Sequence, residues 1–310
     1  MEQTRAFIER LGLPRGDRYN LPTSQKRFPD GAQYRVEIPS VEGPNALKAV
    51  LQACKEYGVL IQRVSQGSGI MLLTDEDIRE MAEIGAREGM EVSLFTGPRA
   101  AWDIGSQVLT PGGKNIGARC RGMDQVVYAV EDIKRACGLG IRGVLVADEG
   151  VLYVAAEMRK MRELPADLVI KISVQMGQAN PASIRLIEQL GADTFNIPTD
   201  LPLPMIAAIR QAIDIPIDMY VEVPDDVGGY VRHYEIAELV RIAAPIYIKF
   251  GLRNAPNIYP SGTHLESTAI ALSRERVRRA KLGLDRLHQY YPDAITSQRG
   301  AEGLGLPVVP

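Results

Sequence analysis

The feature that most constrains the fold is a repeated unit in which a short β-branched strand is followed by an amphipathic helix. Eight stretches have strand character, among them Tyr34–Ile38, Gly143–Ala147 and Ile246–Phe250, and all but the third lead directly into a helical pattern. Regular alternation of strands and helices predicts a parallel sheet. No G-x-G-x-x-G turn follows the first strand, which disfavours a doubly wound dinucleotide-binding sheet. Eight such units therefore predict a single-domain (β/α)8 TIM barrel.

The predicted barrel occupies residues 33–291, between two segments of different character. Residues 1–32 form an N-terminal extension that is mostly loop, rich in Pro, Gly, Arg and Asp. A long connection, Thr96–Arg121, follows the third strand; connections of this length are uncommon in compact domains and are often functional. Its alternative interpretation is a surface insertion with a small extra strand at Ile116–Cys120. Residues 292–310 are predicted to be a flexible tail.

Two helices are predicted to begin at side-chain caps. Thr74 stands before a helix, Asp75–Arg87, whose first turn is acidic. Thr263 and Glu266 have the spacing of a capping box, which predicts a last helix from about His264 to Tyr290. The Arg-rich stretch RERVRR in this helix is either a subunit contact or a solvated face, so homo-oligomer formation stays open.

Charge and composition limit the classes of partner. The formal net charge of −2 and the pI of about 6.0 argue against nucleic acid or an anionic membrane. The N-terminus lacks an apolar signal region, and no stretch approaches the ~18 uninterrupted apolar residues of a membrane span. Cys54, Cys120 and Cys137 are too few and too scattered for a disulfide framework or a closed zinc site. We therefore expect a cytoplasmic protein whose partner is a small-molecule ligand.

Charged and amide side chains interrupt several of the predicted strands. Parallel strands covered on both faces are normally near-continuous Val, Ile and Leu, so polar residues inside them are informative. Inward-pointing side chains should converge on the C-terminal mouth, where such barrels place their chemistry. The candidate substrate-binding residues are Arg63, Ser65, Ser173, Gln175, Asn196, Arg253 and Asn254. The candidate catalytic residues are Glu37, Lys171, Glu222, Lys249 and His264.

Lys171 and Lys249 are the sharpest of these candidates. A lysine desolvated inside a barrel can lose its proton and act as a general base or as a Schiff-base nucleophile. The alternative is that each lysine forms an ion pair with Glu37 or Glu222 and fills the barrel. His264, at the start of the last predicted helix, could protonate or polarise a substrate, although histidines in a first helical turn are also common on surfaces.

A divalent metal is an open alternative, because acids cluster near the predicted mouth. Glu37, Asp148, Glu149, Asp200 and Glu222 could offer oxygen ligands to Mg²⁺ or Mn²⁺. They share no fixed spacing, so no cofactor is predicted, and only Asp148, Glu149 and Asp200 are kept as metal-ligand candidates.

One segment carries a family resemblance. Residues 190–223, LGADTFNIPTDLPLPMIAAIRQAIDIPIDMYVEV, resemble the collagenase-like peptidases of family U32, and the similarity extends over about residues 140–225. The resemblance implies a TIM barrel and a shared ancestry. The family's His-Gly after this strand is replaced here by Val223-Pro224. The cysteines that follow it, iron–sulfur ligands in RNA- and quinone-hydroxylating members, have no counterpart between Val223 and Tyr234. We therefore expect no iron–sulfur cluster and carry over neither RNA binding nor proteolysis.

These observations together predict an enzyme that acts on a small anionic or polar metabolite by acid–base chemistry at the mouth of the barrel. Basic residues of the strands would hold negative charge while Glu37, Glu222 or His264 moves a proton. Three alternatives stay open: a Schiff-base aldolase or lyase, a peptidase or other hydrolase as the family label implies, and a non-catalytic binding or assembly subunit.

Overall fold

Eight parallel strands close into a barrel in chain order, with β1 hydrogen-bonded to both β2 and β8. The computed structural model describes residues 1–97, 99–102 and 105–309, without the side chains at positions 114 and 115. The strands are β1 (Tyr34–Pro39), β2 (Arg63–Ser65), β3 (Glu91–Phe95), β4 (Gly143–Val146), β5 (Val169–Ile172), β6 (Thr194–Asn196), β7 (Ile217–Glu222) and β8 (Ile246–Phe250). The predicted (β/α)8 barrel is confirmed.

Helices surround the barrel and cover the outer faces of the strands. They are α1 (Glu2–Arg10), α2 (Pro44–Tyr57), α3 (Asp75–Glu88), α4 (Arg99–Trp102), α5 (Gly122–Gly138), α6 (Glu149–Lys160), α7 (Pro181–Gln189), α8 (Leu203–Ala212), α9 (Ile236–Ala243) and α10 (Glu266–Tyr290). Strand residues such as Val64, Ile170 and Ile248 are fully buried against them. Each such side chain contributes about 1.5–3 kcal/mol of burial free energy. In the part of the chain that the structure describes, no helix has the length and apolar character needed to cross a bilayer.

The two predicted helix caps have different outcomes. The Thr74 hydroxyl accepts the Asp77 N–H at 3.1 Å, and the Asp77 carboxylate accepts the Thr74 N–H at 3.0 Å, so a capping box begins α3. The capping box predicted at Thr263 is wrong. A 3₁₀ turn over Thr263–Leu265 precedes α10 and puts Leu265 at the N-cap position, which takes the threonine out of register with the first helical N–H groups.

The connection after β3 forms helix α4 and two 3₁₀ turns, Ser106–Leu109 and Gly112–Ile116. The alternative extra strand at Ile116–Cys120 is wrong, because the backbone there continues from the second turn into an irregular segment. Ala118 packs with Phe95 in a small apolar cluster, and Arg119 forms an ion pair with Glu149. The connection therefore lies against the C-terminal ends of β3 and β4.

Residues 292–309 are not the flexible tail that the sequence analysis expects. They cross the N-terminal end of the barrel, where Thr296 bridges to Tyr34 and the Gly305 N–H donates to Glu91 at 2.8 Å. The Glu302 carbonyl accepts a hydrogen bond from the Arg35 guanidinium at 2.7 Å. The segment is ordered by these contacts because buried polar groups at this end of the barrel need partners.

The N-terminal extension helps to close the same end. The Phe28 ring meets Tyr247 edge-on, with the ring centroids 5.3 Å apart, and lies 4.0 Å from the guanidinium carbon of Arg35. The Ser24 hydroxyl donates to the Ala244 carbonyl at 2.5 Å. The extension and the C-terminal segment together form a floor, which leaves the C-terminal mouth as the end available for a ligand.

Candidate functional site

Six buried charged side chains inside the barrel are linked by ion pairs and are called here the barrel cluster. Three are carboxylates and three are cations, each at most 2% exposed. They are Glu37, Arg63, Glu91, Lys171, Asp218 and Lys249. An isolated buried charge costs several kcal/mol, so such a cluster persists only when its members compensate one another. Equal numbers of positive and negative groups provide that compensation.

Arg63 joins the three acids at the lower level of the barrel cluster. Its Nε lies 2.5 Å from Glu91, and its Nη1 lies 3.0 Å from Asp218 and 3.3 Å from Glu37. The Tyr247 ring stacks on the guanidinium at 3.5 Å. Burial lowers the pKa of Arg63, but the neighbouring carboxylates outweigh it and raise the pKa well above its usual value. Arg63, expected to bind substrate, is instead occupied by the protein's own acids.

Glu37 lies at the upper level between the two lysines. The Lys171 ammonium and the Ser65 hydroxyl both donate to Glu37 Oε1, and the Lys249 ammonium lies 3.2 Å from the same oxygen. Lys249 also lies 4.3 Å from the centre of the Tyr220 ring. The structure therefore brings together four of the sequence-predicted residues, Glu37, Ser65, Lys171 and Lys249, at the C-terminal half of the barrel.

The two lysines differ in their acidity. Burial lowers the pKa of Lys171 to about 7, with Glu37 opposing the shift and the Lys249 charge adding to it. Burial also acts on Lys249, but the charges of Glu37 and Tyr220 outweigh it and raise its pKa above the usual value. The pKa of Glu37 would be raised by burial, yet Lys171, Lys249 and Arg63 hold it far below its usual range. Because two ammonium groups share one carboxylate, deprotonation of Lys171 leaves Glu37 paired with Lys249.

Glu222 does not belong to the barrel cluster. Register along β7 and β8 shifts between Tyr220 and Glu222, so the strand contains a bulge that turns Glu222 to the outer side. There Glu222 lies 3.2 Å from Arg279 of α10 and 3.4 Å from His233. The expectation that Glu222 points inward and pairs with Lys249 is wrong. Burial would raise the pKa of Glu222, but the neighbouring His233 imidazole, a hydrogen bond from the Arg253 N–H and the Arg279 charge lower it.

Asn196 and Ser173 are the buried members of the remaining binding candidates. With its amide oriented to satisfy both neighbours, Asn196 donates to the Asp218 carbonyl at 3.0 Å and accepts the Val174 N–H at 3.3 Å. The Ser173 hydroxyl accepts the Gln175 N–H at 3.2 Å, while the Gln175 side chain is exposed. Asn196 and Ser173 therefore support the backbone at the ends of β5 and β6.

The candidates on the last loop lie apart from the barrel cluster. Arg253 is 60% exposed and lies 3.6 Å from Asp225, whose carboxylate also accepts the Asn254 N–H. His264 is exposed on the 3₁₀ turn before α10. None of these three side chains contacts the lysines, so the structure does not bring them to the same place as Lys171.

The acids kept as metal-ligand candidates have other partners. Asp148 caps α6 by accepting the N–H groups of Gly150 and Val151 at 2.9 and 3.1 Å. Glu149 pairs with Arg119, and Asp200 is exposed. Across residues 1–97, 99–102 and 105–309, no three His, Cys, Asp or Glu side chains are grouped so that they could hold a metal ion.

Sequence reasoning missed Glu91 and Tyr247, although both belong to the barrel interior. Glu91 accepts from Arg63 and from the Tyr247 hydroxyl at 3.0 Å. Alternation gives a usable signal, since in MEVSLF the residues Glu91 and Ser93 fall on one side of the strand. Tyr247 likewise alternates with Lys249 in β8. Applying the same alternation to every strand would have found both.

The fold and the interior charges define this chain as a TIM-barrel protein with a compensated ionic cluster behind its mouth. Residues 115–222 match the family model of Peptidase family U32, which is about a third of the chain and runs to the end of β7. This confirms the resemblance to that family over the matched segment. The match includes Lys171 but neither Glu37 nor Lys249.

Solved structures are similar to this chain at low sequence identity. The U32 peptidase Mk0906 is 15% identical, with 66% of this chain and 74% of that chain covered and a TM-score of 0.39. A "putative fructose-1,6-biphosphate aldolase" from Coccidioides immitis is 11% identical, with 83% and 92% covered and a TM-score of 0.50. Comparison with curated proteins finds no significant match. At 11% identity, the likeness to the second of these structures supports the barrel fold alone.

Proposed function

We propose that the protein is a barrel enzyme that binds a small anionic metabolite at its C-terminal mouth and moves a proton with Lys171. The observation that carries this proposal is the arrangement of Lys171 and Lys249 on either side of Glu37. One lysine loses its proton near neutral pH while the other stays charged. A base and a fixed positive charge side by side are what proton abstraction next to a carbonyl requires.

In the proposed reaction, the neutral amine of Lys171 takes a proton from a carbon of the substrate. Negative charge then develops on the neighbouring carbonyl oxygen and is stabilised by the Lys249 ammonium. Return of the proton from Lys171 to a different carbon, or to the opposite face of the same carbon, completes an isomerisation. Loss of a leaving group with its bonding electrons from the neighbouring carbon completes a lyase reaction. Both lysines are at most 2% exposed, so the loops at the mouth must move to admit the substrate.

A Schiff-base version uses the same neutral amine differently. Lys171 would attack a carbonyl carbon and release water to form an imine, as a desolvated lysine can. Borohydride reduction in the presence of a carbonyl substrate converts that imine to a stable secondary amine. A mass increase on the peptide that contains Lys171 supports this version, and proton exchange without any adduct supports the acid–base version.

A second candidate function is that of a non-catalytic binding or assembly subunit. The observation that favours it is the near-complete burial of both lysines in ion pairs with Glu37. In that case the barrel cluster only fills the interior, and replacement of Lys171 changes stability without changing any reaction.

The experiment is deuterium exchange, followed by proton NMR, over a panel of 2-oxo acids and sugar phosphates in heavy water. Wild type should exchange one carbon-bound proton of a substrate, with a rate that rises as the pH passes about 7, because Lys171 must be neutral. Lys171→Met should lower the rate by about 10²–10⁴-fold, the usual contribution of a general base.

The control is Lys160→Met, which removes an exposed lysine paired with Glu157 on α6 and should leave exchange unchanged. The family name suggests one further assay, which is the hydrolysis of fluorogenic peptides. Failure of a folded wild-type protein to exchange, to form an adduct or to cleave any member of these panels would contradict the enzyme proposal and favour the second candidate.

A further inference from the structure

Arg276 of α10 is a buried cation with too few partners. Its side chain is 3% exposed, and the described residues make one hydrogen bond with it, from Nη1 to the Ser40 carbonyl at 3.1 Å. The Nε is buried without a partner, and no carboxylate of the described residues lies within 4.0 Å. A guanidinium has five N–H donors, and leaving a buried charge uncompensated costs several kcal/mol.

Other buried arginines of this chain are better satisfied. Arg63 meets three carboxylates, and Arg232 pairs with Glu235 and donates to two backbone carbonyls, those of Thr199 and Leu201. Arg210 also has a buried Nε without a partner and no ion pair with a described residue, but it donates to the carbonyls of Ile213 and Ile215. Arg276, with one hydrogen bond, therefore has the fewest partners of these four arginines.

Arg276 lies at the C-terminal end of the barrel, close to the proposed reaction centre. Ser40 directly follows β1, and the charge of Arg276 acts on the buried hydroxyls of Tyr220 and Tyr259. The Tyr220 ring in turn lies 4.3 Å from the Lys249 ammonium. Tyr220 thus neighbours both Arg276 and the Lys249 ammonium, which places the two cations near one side chain.

The loop between β8 and α10 covers this place. Its Tyr259 hydroxyl contacts the Ser40 hydroxyl, and its ring lies against the backbone of Gly67, where an added Cβ would be 2.5 Å from Tyr259 Cε1. The Ser261 N–H also donates to the Ser68 hydroxyl at 2.8 Å. The loop is held by a few hydrogen bonds at the mouth, which suits a cover that opens for a ligand.

We propose that Arg276 binds a carboxylate group of the substrate, in a subsite bounded by Ser40, Tyr220 and Tyr259. A planar guanidinium with free donors pairs with a carboxylate through two parallel hydrogen bonds. This assignment rests on the proposed function for its reaction, and it adds the group by which the substrate is held. The substrate is then a small carboxylic acid whose carboxylate meets Arg276 and whose reacting carbon faces Lys171.

Charge favours a carboxylate over a phosphate in this subsite. The Glu42 carboxylate acts on the same guanidinium from more than 4.0 Å away, and it is held by the N–H groups of Gly67 and Ser68 at 2.7 and 3.1 Å. A doubly charged phosphate would be repelled by Glu42 more strongly than a singly charged carboxylate.

Binding is measured by calorimetry without turnover, using pyruvate and lactate, their uncharged primary amides, and inorganic phosphate. Wild type should bind the acids and not the amides. Arg276→Met should weaken binding of the acids at least tenfold, and Arg276→Lys should weaken it less, since it keeps the charge and loses the paired geometry. Arg274→Met is the matched control, because Arg274 lies two residues away on α10 and pairs with Glu56 at the surface.

A purely structural role for Arg276 makes a different prediction. If the guanidinium only supports the Ser40 carbonyl, Arg276→Met should lower the unfolding temperature and leave acid binding unchanged. If Arg276 is kept for a ligand, the variant should be at least as stable as wild type, since it removes a buried charge that has no carboxylate within 4.0 Å. If Arg276→Met does not fold, the Arg276→Lys variant tests the proposal instead. Acid binding by Arg276→Lys that equals wild type would contradict the subsite.

The outcomes also separate this proposal from the proposed reaction. Acid binding that persists in Lys171→Met and is lost in Arg276→Met supports the subsite, whether or not wild type exchanges a proton. Exchange that survives Arg276→Met with an unchanged KM refutes the subsite and leaves the proton-transfer proposal standing. Tighter binding of phosphate than of either acid, or no binding of any acid by wild type, overturns the carboxylate assignment.

Discussion

Replacement of Glu37 by Gln tests whether the barrel cluster is held together by charge compensation. The carboxylate of Glu37 contacts Lys171, Lys249 and Arg63 inside the barrel. Glu37→Gln keeps the shape of the side chain but leaves three cations facing two acids. Removal of one partner from a buried ion pair costs about 3–5 kcal/mol. Because domains are stable by about 5–15 kcal/mol, this loss is a large fraction of the total.

The loss should depend on pH in a defined direction. In wild type the folded pKa of Lys171, about 7, lies below its ordinary value of 10.5, so the unfolded chain binds more protons between these limits. The free energy of unfolding therefore rises with pH across that window, by about 1.4 kcal/mol per pH unit for one proton. In Glu37→Gln the lysines have lost their shared carboxylate, so Lys249 also releases its proton on folding and the slope approaches twice that value.

The assay is urea unfolding followed by circular dichroism at several pH values between 7 and 10. Glu83→Gln is the control, since Glu83 is exposed on α3, and it should change the unfolding free energy by less than about 0.5 kcal/mol. Charge compensation in the barrel would be refuted if Glu37→Gln lowered the free energy of unfolding by less than about 1 kcal/mol and this loss did not shrink as the pH rises.

Three further changes probe other parts of the molecule. Thr74→Ala removes the side-chain cap of α3 and should cost about 1 kcal/mol in urea unfolding, and a value near zero would contradict the capping box. Deletion of residues 298–310 removes the Gly305 N–H from Glu91, and it should lower the unfolding temperature and speed hydrogen exchange in β3. Unchanged exchange would contradict the claim that the C-terminal segment stabilises this end of the barrel. Gly67→Ala places a methyl group against Tyr259 and should weaken acid binding or alter its rate, whereas identical binding kinetics would show that the loop is not displaced.

The barrel and its helices could be predicted from the sequence because the local signals agree with the final packing. Strands such as IYIKF in β8 carry apolar residues on the face that meets the helices, and Thr74 begins α3 as the pattern indicates. Lys171, Lys249 and Glu37 could be found as well, since charged residues are rare in strands that are covered on both faces.

The remaining features depend on tertiary contacts that local patterns do not carry. Arg276 lies in RERVRR beside exposed or half-buried arginines, and the packing of α10 decides that its side chain is the buried one. The segment 292–309 is ordered by buried groups of other elements, Arg35 and Glu91, that are remote in the sequence. Glu222 was misplaced because IPIDMYVEV alternates perfectly, while the chain after β7 folds back and pairs Val223 with Tyr230.

The bulge at the end of β7 has a consequence for tolerance to insertions and deletions. Asp218 and Glu222 stand four residues apart, yet the single extra residue between Tyr220 and Glu222 sends them to opposite sides of the sheet. Loss of Val221 would remove the bulge and leave Glu222 directly after Tyr220, so that plain alternation would keep the Glu222 carboxylate on the outer side beside Arg279. A one-residue deletion at the bulge should therefore preserve both the barrel cluster and the outer Glu222–Arg279 pair.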